Sequence, residues 1–135
     1  MVTIEASYYT QLELTFFVVR GSVTAEDIVV AIETHFEAHP TSNVIWDLTA
    51  CDLSNFDMAG MIEVSDCAKK FSAKRPNPRT INVVADEQEG FLIKLYEEIA
   101  ELRESPVNYV LASSVDEAFE MLGIENPFES GTSAA

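Results

Sequence analysis

VIWDLTACDLSNFDMAGM, residues 44–61, decides the reading of this chain. With Asn43 it opens on NVIWDL, residues 43–48, a short apolar run that suits a strand buried in a parallel sheet. A loop through Cys51 and Asp52 follows, and Ser54 is placed to cap a helix. Along that helix Met61, Val64, Ala68 and Phe71 recur on one side. Lys69, Lys70, Lys74 and Arg75 sit towards its end, where cations complement the helix dipole, and Pro76 and Pro78 stop it.

The same strand–loop–helix plan repeats downstream. TINVVA at 80–85 is strand-like, Asp86 and Glu89 resemble a cap, and Phe91, Leu92, Leu95, Ile99 and Leu102 line a helix closed by Pro106. VNYVLA at 107–112 supplies a last strand, and Ser114 with Glu117 caps a last helix that Gly123 ends. Upstream, residues 2–9 and 12–20 alternate as strands, and the short link at Thr10 and Gln11 makes a hairpin their natural pairing. Gly21 and Ser22 break the second strand. Thr24 and Asp27 then open a helix carrying Ile28, Ile32 and Phe36, which Pro40 ends.

The order is therefore β-β-α-β-α-β-α-β-α. Helical connections between strands imply crossovers, so the expected fold is α/β with a mainly parallel sheet and one N-terminal antiparallel hairpin. A single domain over 1–124 is expected, followed by a small, polar tail at 125–135 expected to be disordered.

Charge narrows the function classes. Twenty-three acidic residues against eight basic ones give a formal net charge of -15 across 135 residues. Phosphate backbones demand a basic face, so nucleic-acid binding is not expected. No run approaches the roughly 20 apolar residues of a membrane span, and the N-terminus lacks the layout of a signal peptide. A cytoplasmic protein with Cys51 and Cys67 as free thiols is the expectation.

Four groups are candidates for chemistry. His35 and His39 are spaced to share a metal on a helix, but Pro40 unwinds that turn and no motif places a third ligand. Asp47, Asp52 and Asp57 lie around the C-terminal end of the strand at 43–48, where α/β sheets hold ligands; capping and solvation explain them as well. Lys69, Lys70, Lys74, Arg75 and Arg79 are five of the eight bases, and such a patch can meet a phosphate, a lipid head group or an acidic partner. Phe56, Met58, Met61, Phe91 and Tyr96 can wall an apolar space between the second and third helices or simply fill the core. There is no nucleophile elbow, no P-loop and no dinucleotide-binding glycine motif, so neither a catalytic site nor a cofactor is expected.

The order of elements and the stretch 44–61 resemble the STAS domains, and more closely their SpoIIAA-like branch. Members carry a strand ending in Asp-Leu, a short loop, and Asp-Ser-Ser-Gly or Asp-Ser-Thr-Gly at a helix start. Asp47-Leu48 matches the first part and Asp57-Met58-Ala59-Gly60 the second; GSVTAEDI (21–28) and VDEAFEMLGI (115–124) also fit. The resemblance implies a non-catalytic regulatory or protein-interaction module that meets its partner through Asp57, Met58, Ala59, Gly60 and Met61. It also shows a departure. Met58 and Ala59 occupy the two hydroxyl positions where anti-sigma-factor antagonists are phosphorylated, and neither side chain accepts phosphate. Ser54 is the nearest alternative acceptor. The branch is similar in shape to CRAL-TRIO lipid-transfer domains, which implies an alternative: a small apolar ligand, or peripheral membrane contact, accommodated by movable helices. Self-association is compatible with either role.

Overall fold

A computed structural model describes residues 2–127, so residues 128–135 of the expected tail lie outside the described part. Five strands, β1 (Thr3–Tyr9), β2 (Leu14–Ser22), β3 (Asn43–Asp52), β4 (Arg79–Val83) and β5 (Asn108–Ala112), form one sheet in the order β1-β2-β3-β4-β5. The β1–β2 pair is antiparallel and the other three pairs are parallel. Helices α1 (Ala25–Ala38), α2 (Met58–Ser72) and α3 (Glu87–Leu102) connect the parallel strands, and α4 (Val115–Leu122) follows β5. Each parallel step moves the same way across the sheet, so crossovers of one hand put α1, α2 and α3 on one face. The core records this arrangement. Phe17, Val44 and Trp46 pack under α1–α3, whereas Phe16, Ile45, Ile81 and Val83 pack against Phe119 and Leu122 of α4.

The helix starts follow their local chemistry. Thr24 and Asp27 bond each other's backbone in a full capping box. Asp86 accepts from Glu89 N, Ser114 from Glu117 N, and Gly123 ends α4 with φ 69°. Three sequence expectations shift. The hairpin link is a 3-10 turn, Thr10–Leu12, closed by Glu13 in the left-handed region at φ 51°. Gly21 and Ser22 do not break β2; they pair with Cys51 and Asp52 beyond a register shift between Val18 and Arg20. Gly21 supports this with φ 89°, which glycine adopts without a Cβ clash. The same pairing extends β3 four residues past Leu48.

The chain beyond α4 stays close to the body as far as it is described. Ile124 N donates to Phe119 O, and Asn126 is buried with its side-chain amide 2.6 Å from Asp116 Oδ1.

Candidate functional site

The turn between β3 and α2 is held by short side chains folding back on the backbone. Asp52 Oδ1 accepts from Ser54 N at 2.9 Å, and Phe56 N donates to Leu53 O at 3.0 Å. Asp57, in an extended conformation, caps α2 by accepting from Gly60 N at 2.8 Å. Ser54 is therefore not the cap of α2: three further residues intervene, and the Asp57 carboxylate takes the role. Its own amide is engaged by Asp52, and the backbone bonds of Ser54 hold the Asp52 carboxyl below the usual carboxylate range.

This cap sets the exposure of the residues after it. Met58 stands on the surface with 58% of its area exposed, and Ala59 is exposed beside it. Gly60 and Met61 turn inward. A Cβ at Gly60 would lie 3.0 Å from Ala25 Cβ and 3.2 Å from Asp57 Oδ1, so the glycine lets α1 and α2 approach at this point. The five residues 57–61 thus divide: Asp57, Met58 and Ala59 face solvent, and Gly60 and Met61 seat the helix.

Below the turn, between α1–α3 and the sheet, lies a cavity of about 70 Å³. Leu53, Phe56 and Met61 reach it from the turn and α2, and Trp46, Ile93 and Tyr96 from the sheet and α3. Of the five aromatic and methionine candidates, Phe56, Met61 and Tyr96 meet here. Met58 and Phe91 do not: the cap of α2 and the outer face of α3 leave them exposed, Phe91 by 73%.

One end of the cavity is polar. Arg75 is only 3% exposed and is the one member of the basic segment that turns inward. Its Nε donates to Thr41 O at 2.7 Å, and its Nη2 to Ser42 O, Arg79 O and Thr80 Oγ1 at 3.0 to 3.2 Å. Its guanidinium carbon lies 5.2 Å from the Phe36 ring centroid. Burial lowers its pKa to about 10, which leaves it protonated at neutral pH. The Tyr96 and Tyr109 hydroxyls pair at 2.8 Å, and burial pushes both pKa values up, that of Tyr109 to about 12. Sequence reading missed Asn82, Thr80 and Tyr109 as lining residues. The legible signal was the polar pair at alternating positions 80 and 82 beside the apolar pair 81 and 83.

The remaining candidates disperse. Lys69 Nζ donates to Arg103 O at 2.8 Å, Lys74 pairs with Glu37 at 2.8 Å, and Arg79 is half-buried at the start of β4. With Arg75 inside, the five bases do not form one continuous patch. His39 leaves helical geometry before Pro40, as the proline dictates, and its ring lies 4.2 Å from that of Tyr8. His35 Nδ1 hydrogen-bonds the Tyr8 hydroxyl, and burial, then the neighbouring His39, lowers its pKa. Among the described residues no three His, Cys, Asp or Glu side chains come together as a metal site. Asp47 accepts from Thr49 Oγ1 at 2.6 Å within β3, Asp52 from Ser54 N in the turn and Asp57 from Gly60 N at the helix start, so the three carboxylates are engaged separately. Cys51 and Cys67 are free thiols whose pKa values burial raises to about 12 and about 11, which suppresses the reactive thiolate.

No protein-family model and no curated protein sequence matches the chain. Solved structures do match in shape. An anti-sigma factor antagonist from Mycobacterium paratuberculosis aligns with TM-score 0.64 at 14% identity, covering 91% of this chain and 95% of its own. An uncharacterised DUF3478 protein with a SpoIIAA-like fold from Shewanella loihica aligns with TM-score 0.58 at 13% identity, covering 90% and 93%. The Bacillus cell fate determinant SpoIIAA, in its phosphorylated form, aligns with TM-score 0.55 at 17% identity, covering 89% and 99%. Near-complete coverage in both directions and the five-stranded sheet agree: the chain has the SpoIIAA-like fold.

Proposed function

We propose that this protein is a non-catalytic regulatory module that binds a protein partner through the β3–α2 turn and the first turn of α2, residues 51–61. The observation that carries it is the exposed pair Met58 and Ala59, held outward by the Asp57 cap at the helix start. A 58%-exposed methionine on an ordered turn is an adaptable apolar contact. Two of the structural neighbours are an anti-sigma factor antagonist and the phosphorylated form of SpoIIAA. Here the two positions carry no hydroxyl, so partner binding at this turn runs without a phosphate on residue 58 or 59. Site-specific photocrosslinking tests this. A photoreactive residue at Met58 should give one discrete protein adduct in cell extract, and the same residue at Leu102 on α3 should not. Identical patterns from both positions, or none from Met58, would refute the reading.

A second reading is favoured by the cavity beneath the same turn: a small apolar ligand held between α2, α3 and the sheet. Native mass spectrometry of the purified protein should then show a bound apolar mass that organic extraction removes. A spectrum containing only the bare chain, before and after apolar additives, would count against it.

A further inference from the structure

The polar end of the cavity combines a guanidinium with an amide and hydroxyls, and none of these groups carries a negative charge. Arg75 carries a full positive charge, yet its bonds go to three carbonyls and one hydroxyl. Those bonds use Nε and Nη2, and among the described residues Nη1 meets no protein acceptor. No carboxylate lines the cavity. Asn82, 6% exposed, presents its amide to the same space and makes no side-chain hydrogen bond among the described residues. In the Tyr96–Tyr109 pair one hydroxyl donates to the other, which leaves a single O–H free to donate elsewhere. A charge held at 3% exposure without a counter-ion is costly. An anion in the cavity would supply the counter-charge and accept from the Asn82 amide beside it.

The register shows how such an anion would lie. Thr80 and Asn82 stand on one face of β4, two residues apart, and Trp46 of β3 pairs with Asn82. Beyond them the lining is apolar, through Leu48, Leu53 and Leu92 to Phe56. The cavity therefore has a cationic floor and a hydrocarbon roof.

We infer that the cavity is a site for an apolar carboxylate, with its head on Arg75 and Asn82 and its chain running under Leu53 and Phe56. The inference rests on the second reading of function, that the cavity takes a small apolar ligand. At about 70 Å³ the cavity has roughly half the ~150 Å³ that holds a benzene ring, so without movement of its walls it takes only a short chain. Longer chains displace Phe56 and Leu92, which are half-buried at the roof.

Trp46 is the chain's single tryptophan and lines the cavity, so its fluorescence reports binding directly. Wild-type protein is titrated with acetate, butanoate, hexanoate and octanoate, and in parallel with the 1-alkanols of matching length. The expected result is saturable change for the acids, strengthening with chain length, with each matched alcohol at least tenfold weaker. Asn82→Leu should cut the acid-over-alcohol preference several-fold. Arg75→Met should abolish the preference where it folds; Asn82→Leu keeps the test decisive where it does not. Equal binding of acids and alcohols would overturn carboxylate recognition and leave the apolar site standing. No binding of either, with Trp46 emission and melting temperature unmoved, would overturn both.

Discussion

Asp57 shows how one side chain sets a surface. Its carboxylate takes an otherwise orphaned backbone N–H of α2, and that bond turns Met58 and Ala59 outward. Asp57→Ala should cost about 1 kcal/mol of stability, and Asp57→Asn, which keeps an acceptor, much less; chemical denaturation of the pair measures the difference. His35 is a second residue with a readable consequence. Its pKa is lowered in the fold, so the folded state resists its protonation. Its contribution is present above the unfolded value of 6.5 and is lost as pH falls through that value towards the lower folded one. Between pH 7.5 and pH 5 the wild type should therefore lose more stability than His35→Gln. Equal losses would show that the contact of His35 with Tyr8 and His39 carries no such linkage. The role of Asp57 in the turn was visible from the motif Asp57-Met58-Ala59-Gly60, whereas its role as the cap was not. Ser54 competes with it in sequence as an equally good capping residue, and only the Asp52 turn, which engages Ser54 N, separates them.

At the level of elements, patterning was legible wherever apolar spacing and caps agreed. Thr24, Asp86, Ser114 and Gly123 each mark a helix end in sequence and serve there in the fold. The strands were harder to bound. β2 and β3 run on through Gly21, Ser22, Cys51 and Asp52 because each supplies the other's hydrogen bonds, a reason no single segment contains. The inward turn of Arg75 was hidden for the same reason: a helix-terminal arginine reads as solvated until the carbonyls of residues 41, 42 and 79 surround it. Packing yields two predictions. Phe17 is fully buried and stacks on Trp46 with ring centroids 3.9 Å apart, so Phe17→Ala should cost about 3–5 kcal/mol. Gly60→Ala should also destabilise, although alanine favours helices by up to about 1 kcal/mol, because its Cβ meets Ala25 Cβ, which is fixed to backbone. A stabilised Gly60→Ala protein would mean that α1 and α2 are not closely seated there.

The chain is strongly acidic, and its described residues form a single sheet with three helices on one face and one on the other. Among the described residues no helix is long and apolar enough to cross a membrane. The ion pairs Arg20–Glu5, Lys74–Glu37 and Arg103–Asp66 are all exposed and do little to offset a net charge of -15. Self-repulsion should therefore dominate its response to salt. Raising ionic strength from 0.01 to 0.15 M shortens the screening length from ~30 to ~8 Å and should raise the melting temperature; a fall would assign more to the ion pairs than to the overall field. Both proposed readings fall at one end of the helical face, where the exposed β3–α2 turn also roofs the cavity. The most direct test is quantitative mass spectrometry of complexes captured on the tagged full chain, wild type against Met58→Glu. The prediction is a stoichiometric protein partner on the wild type, lost with Met58→Glu, and no phosphate in the peptide spanning residues 51–61. A partner retained equally by both, or one whose binding tracks phosphate on Ser54, would contradict the account.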